Sequence, residues 1–184
     1  MSQFYKKVDI SIDAADVKPT DKEIISYGEE INGDFEGIKY NDCIVSDSAF
    51  SQIYSVLPSK MRNMFMPMYM QINRDIIPHI DSGVSTVINV YIKSGGYVTE
   101  FNKPKEGRKS FKLKNQTNGV SYNFDDVEVL DSFVANDGDA YVLDVSKLHS
   151  VHSGNEKERV ALALGTPLPF NVVCNMIQSE KNAE

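Results

Sequence analysis

Two histidines and an aspartate in this chain have the types and the spacing to share a metal ion. His79 and Asp81 stand two apart at the head of an apolar run over 84–92, and His149 lies nearly seventy residues further on, ahead of Arg159. Residues two apart on a strand point to the same face. A histidine and a carboxylate so placed can bind one ion, and a histidine from another strand completes the set. Two histidines and one carboxylate leave coordination positions open, an arrangement suited to ferrous iron. The chain's third histidine, His152, competes with His149. On a strand, 149 and 151 share a face while 152 points to the other. His79, Asp81 and His149 are therefore the candidate metal ligands, with His152 at a pocket edge or the surface.

Such a set needs strands to hold it. Residues 5–13 alternate in polarity as an edge strand. A short helix is expected over Asp21–Ile31, ended by Gly33 and Gly37, and then a strand over Ile38–Val45. Asp47 is positioned to cap a helix over Ser48–Leu57, whose Phe50, Ile53, Tyr54 and Leu57 recur at helical spacing, and Pro58 interrupts it. The methionines of 61–70 suit either core filling or a pocket wall. Strand character resumes over Tyr69–Ile77, followed by short strands at 84–92, 97–102, 119–124, 127–134, 139–144, 148–152 and 159–165. Many short strands with glycine and asparagine turns argue for a sandwich or barrel. The segment 167–184 has two prolines near its start and a polar end, so its tail is expected to fray.

The 184 residues suit one domain with a substantial core. A net charge of −7 argues against general affinity for nucleic acid or anionic membranes. No stretch reaches the apolar length of a membrane span, and the first residues lack a signal-peptide core. Cys43 and Cys174 form no ligand-like spacing, and a reducing, cytoplasmic setting is the simplest expectation. Residues 102–116 form a basic island, readable as a solvated loop or as a lid that draws in an acidic substrate.

The order His79-x-Asp81, distal His149, then Arg159 ten residues later resembles the metal motif of the 2-oxoglutarate/Fe(II)-dependent dioxygenase superfamily. The resemblance covers roughly residues 65–170. The interval to Arg159 favours His149 over His152, which leaves only seven. Two further segments are similar to the prolyl 4-hydroxylase and aspartyl/asparaginyl hydroxylase branches. One is Gly95-Gly96-Tyr97-Val98-Thr99-Glu100-Phe101, like Gly-Gly-x-Thr-x-Phe with one extra residue. The other is the turn and strand over 138–144 ahead of His149.

The resemblance implies a mainly β fold with flanking helices, a double-stranded β-helix (jelly roll, cupin-like), within one domain over 1–184. It implies Fe(II) on His79, Asp81 and His149, with 2-oxoglutarate and O₂ as cosubstrates. Hydroxylation of a peptide or small-molecule substrate would accompany release of succinate and CO₂. Arg159 would pair the distal carboxylate of 2-oxoglutarate through its planar guanidinium. Arg159, Ala161 and Ala163 share a strand face, and the small residues leave room for a ligand. A structural arginine paired with Glu156 or Glu158 is the plainer alternative. Asn89, Tyr91 and Thr99 are the other candidate cosubstrate contacts, with strand register deciding between the first two. A metal cupin that does not use 2-oxoglutarate and a non-catalytic jelly-roll binding or structural protein are the rival readings.

Overall fold

The structure is a computed structural model and describes residues 2–112, 119–153 and 158–181. Its strands are β1 (Tyr5–Val8), β2 (Val17–Ile31), β3 (Asp34–Val45), β4 (Met66–Ile72), β5 (Ile76–Ile80), β6 (Thr86–Lys93), β7 (Val98–Pro104), β8 (Val120–Ser121), β9 (Val127–Val134), β10 (Ala140–Asp144), β11 (His149–His152) and β12 (Arg159–Thr166). Two α-helices accompany them, α1 (Asp47–Val56) and α2 (Phe170–Lys181). The strands form two antiparallel sheets. One is seven-stranded, ordered β1-β10-β6-β12-β4-β3-β2, and the other five-stranded, ordered β8-β5-β11-β7-β9.

Side-chain parity on the large sheet divides the core in two. On its outer face Ile88, Val90, Leu162 and Leu164 pack with Ala49 and Ile53 of α1 and with Val173 and Ile177 of α2. On its inner face Tyr91, Ala161, Ala163, Met70 and Ile72 meet Val151 of the smaller sheet and Tyr97 just ahead of β7. The central strand β12 is buried at every position, as a strand covered on both faces must be.

Four expectations need correction. The segment Asp21–Ile31 is not a helix but most of β2, which pairs with β3 in a long hairpin turned at Asn32-Gly33. Both turn residues have positive φ, 54° and 89°, the geometry of a two-residue turn whose twist matches its strands. The tail is helical rather than frayed as far as Lys181, because Val173 and Ile177 lie on one helical face and reach the core. Ser46 rather than Asp47 caps α1, its hydroxyl accepting from the Ala49 amide at 3.1 Å. The strand expected over Tyr69–Ile77 is two strands, broken at 73–75, which moves His79 inside β5. The methionines divide: Met61 is core, Met64 and Met66 are exposed, and Met68 and Met70 line a cavity.

Candidate metal centre

His79 on β5 and His149 at the start of β11 are direct cross-strand partners in the smaller sheet. Their rings lie 4.3 Å apart between centroids. Asp81 follows the end of β5, its amide donating to the Val145 carbonyl at 3.1 Å, which ties the loop to the other sheet. One ligand atom from each of the three residues lies within 4.8 Å of the other two, so the group can hold a metal ion.

Backbone contacts fix the imidazole tautomers. His79 Nδ1 lies 2.8 Å from the Ile77 carbonyl oxygen and His149 Nδ1 lies 2.9 Å from that of Lys147. A carbonyl only accepts, so each Nδ1 carries a proton and each Nε2 presents a lone pair, the usual outer-shell device of a ligating histidine. Burial, and then the neighbouring His79, push His149 down to about 4 against the upward pull of Asp81 and the Lys147 carbonyl. Burial pushes Asp81 up, but the adjacent His79 and then His149 outweigh that and hold it below the usual carboxylate range. His79 Nε2 and Asp81 Oδ1 approach to 3.3 Å. Two acceptors this close need a proton or a cation between them, which is what the donor set of a metal centre presents. Phe101 packs 6.3 Å from His149 and stacks on Phe4 at 5.1 Å, backing the ring.

His152 points to the other side of β11. It lies 3.2 Å from Glu100 and 3.5 Å from Asp75, with Phe124 against its ring. It does not line the cavity that holds the other two histidines.

That cavity has a volume of about 670 Å³ and is lined by His79, Asp81, His149, Asn89, Tyr91, Thr99 and Arg159 together. Arg159 is 2% exposed. It donates to Thr99 Oγ1 at 3.0 Å and to the Tyr97 carbonyl at 2.7 Å, and its guanidinium lies 5.2 Å from the ring centres of both Tyr91 and Tyr97. Its Nε has no hydrogen-bond partner among the described residues, nor do the Tyr91 hydroxyl and Asn89 Oδ1. The alternative of a structural ion pair fails at Glu158, which turns to Lys93 at 3.8 Å and accepts from Gln71 at 3.0 Å; Glu156 lies outside the described residues. Burial lowers the Arg159 pKa, and the two tyrosines oppose that. A buried cation with idle donors and no carboxylate partner among the described residues is expensive unless an anionic ligand completes it.

The described part of the basic island lies elsewhere. Lys103 pairs with Glu128 at 3.1 Å, Arg108 pairs with Asp126 at 3.3 Å, and Lys105 donates to the Asp125 carbonyl, while none of residues 102–112 lines the cavity. Lys114 falls outside the described residues. In place of the island, the wall includes Ile25, Tyr27, Ile38 and Tyr40 of the β2–β3 hairpin, none of them singled out from sequence. The one local signal for the hairpin is the turn dipeptide Asn32-Gly33, which marks the bend and not the residues of the wall.

No protein-family model matches this chain, and no curated protein matches it in sequence. Among the described residues no helix is long and apolar enough to cross a membrane.

Proposed function

We propose that the protein is an Fe(II)- and 2-oxoglutarate-dependent oxygenase of the prolyl 4-hydroxylase-like kind, built on a double-stranded β-helix. The observation that carries this reading is Arg159, a buried guanidinium without a counter-ion among the described residues, in one cavity with a His-Asp-His group. The fold reading is supported by the path of the chain, which alternates between the two sheets from β4 to β7 and again from β9 to β12. That back-and-forth winding is how a jelly roll is made.

In this reading His79, Asp81 and His149 hold the metal, with both Nε2 lone pairs free for it. Arg159 pairs the distal carboxylate of 2-oxoglutarate, a charge that no described residue supplies to it. The Tyr91 hydroxyl and the Thr99 hydroxyl, which already accepts from Arg159, each have a proton left to donate to the same diacid. Ala163 leaves the room it occupies, and the apolar wall formed by Met70, Ile72 and Val151 keeps water from it. When bound, iron and 2-oxoglutarate supply the oxidising chemistry, in which decarboxylation to succinate and CO₂ accompanies transfer of one oxygen atom of O₂ to a substrate C–H bond. The protein's share is binding, orientation and exclusion of solvent, so no side chain is required as a general base.

Succinate release from 2-oxoglutarate, measured with Fe(II) under air, tests the reading. The wild type and His152→Ala should both release it, and Asp81→Ala and His149→Ala should not. Release that survives His149→Ala would sink the assignment.

A further inference from the structure

A five-carbon diacid at Arg159 occupies one end of a much wider space. Strand pairing lays out the inner face of the large sheet in rows. One row runs Tyr27, Ile38, Ile72, Arg159, and the next runs Ile25, Tyr40, Met70, Ala161, Tyr91, each residue opposite the last. Each step crosses to a neighbouring strand about 4.8 Å away, so the three steps from β12 to β2 extend roughly 14 Å. All the residues of both rows except Ala161 line the same cavity. Its polar donors are gathered at the β12–β6 end. The β4–β3–β2 end is apolar and aromatic.

The charge at that outer end is also distinct. Its charged lining residues are Glu29, Arg74 and Asp75, two carboxylates against one guanidinium. The hairpin between Ile24 and Ile38 adds Glu30, Asp34 and Glu36 and contains no lysine or arginine. Tyr27 and Tyr40 stand diagonally across the hairpin on the same face, and burial, with Asp81 and Tyr27 nearby, pushes the Tyr40 phenol up, so it stays neutral. Neutral phenol rings offer their negative faces to cations. Carboxylates outnumber the single guanidinium of Arg74 there, so the balance of charge favours a cation over an anion.

The hairpin is held in place to form this wall. Asn73, in the break between β4 and β5, accepts from the Gly37 amide at 2.6 Å, donates through its side chain to the Phe35 carbonyl at 2.6 Å and through its backbone to the Gly37 carbonyl at 3.2 Å. Gly28 and Gly37 face one another at this point. A Cβ on either would lie 1.9 Å from the partner strand's carbonyl oxygen.

We propose that the space between the hairpin and β4 is a second binding compartment, which takes a ligand with an apolar or aromatic body bearing a cationic group, and that Tyr40 is its selecting side chain. That this occupant is the molecule oxidised rests on the oxygenase reading; the ligand class does not. It also reverses the expectation of an acidic substrate drawn to the basic island.

Ligand-observed NMR with three probes of similar body tests it: 2-phenylethylamine, 2-phenylethanol and phenylacetate, each added to protein saturated with 2-oxoglutarate and, separately, to Arg159→Ala. The amine should bind more tightly than the alcohol by roughly 5-fold and the carboxylate least. Added salt should shrink that spread. Tyr40→Ala should weaken the amine by a similar factor, whereas Tyr40→Phe, which keeps the ring, should retain it. Preference for phenylacetate, or equal binding of the amine to wild type and a folded Tyr40→Ala, overturns the compartment. Failure of 2-oxoglutarate to bind the wild type while the amine still binds Arg159→Ala would instead overturn the oxygenase reading and leave the compartment standing.

Discussion

At the scale of the residue, Arg159 is the side chain that the fold alone does not account for. Its hydrogen-bond partners are neutral, the Thr99 hydroxyl and the Tyr97 carbonyl, and a buried cation without a counter-ion costs the fold free energy that an apolar side chain of similar length would not. Arg159→Met should therefore raise the melting temperature of the ligand-free protein while abolishing its stabilisation by 2-oxoglutarate. Thermal denaturation with and without the diacid reads both; a large loss of stability in the variant would make Arg159 structural. His149 gives a second prediction, for metal-free protein. Its folded pKa of about 4 lies below the ordinary value of 6.5, so between those values the unfolded chain binds more protons than the folded one. Stability should fall as pH drops from about 6.5 toward 4, in the same sense as the depressed Asp81. His149→Phe should flatten the upper part of that slope in a melting-temperature series against pH.

At the scale of the element, the triad was readable from sequence because strand parity is a local rule. It set His79 and Asp81 on one face, turned His152 away from His149, and put Arg159, Ala161 and Ala163 on one face of β12. The hairpin was misread for a local reason too. Glutamate and isoleucine at mixed spacing over Asp21–Ile31 imitate a helix, and only pairing with β3, anchored by Asn73 from a distant turn, decides for strand. Pairing partners are long-range facts, so the aromatic wall at Tyr27 and Tyr40 was invisible until both strands were in register. The helix α2 was hidden by its polar end, although Val173 and Ile177 carried the period. The glycines of the hairpin make the register testable. Gly37→Ala forces a Cβ into the Tyr27 carbonyl and should destabilise the protein by more than about 1 kcal/mol. Gly33→Ala, at positive φ but with open space around it, should lose only about 1 kcal/mol. Chemical denaturation of both variants checks the order, and equal losses would argue against the close approach at Gly28 and Gly37.

At the scale of the molecule, two sheets divide the work. The smaller one supplies both histidines, and the larger one supplies the cavity floor, from the guanidinium on β12 to the phenols of the hairpin. Neither sheet holds the site alone, so the polar end, the metal ligands and the apolar end depend on the sandwich closing as a unit. Net charge hides this arrangement. The chain is acidic overall, Lys103 and Arg108 of its basic island pair with Glu128 and Asp126, and the buried cation sits where no surface count would find it. The central claim is that one cavity binds Fe(II) at His79, Asp81 and His149 and 2-oxoglutarate at Arg159 together. Anaerobic titration of Fe(II) and then 2-oxoglutarate, followed by visible absorption, tests it directly. The account predicts a weak metal-to-ligand charge-transfer band in the wild type, none in His149→Ala, and in Arg159→Ala a band that needs far more 2-oxoglutarate although iron still binds. Wild-type protein that binds Fe(II) yet develops no band, or an Arg159→Ala variant with unchanged 2-oxoglutarate dependence, would contradict it.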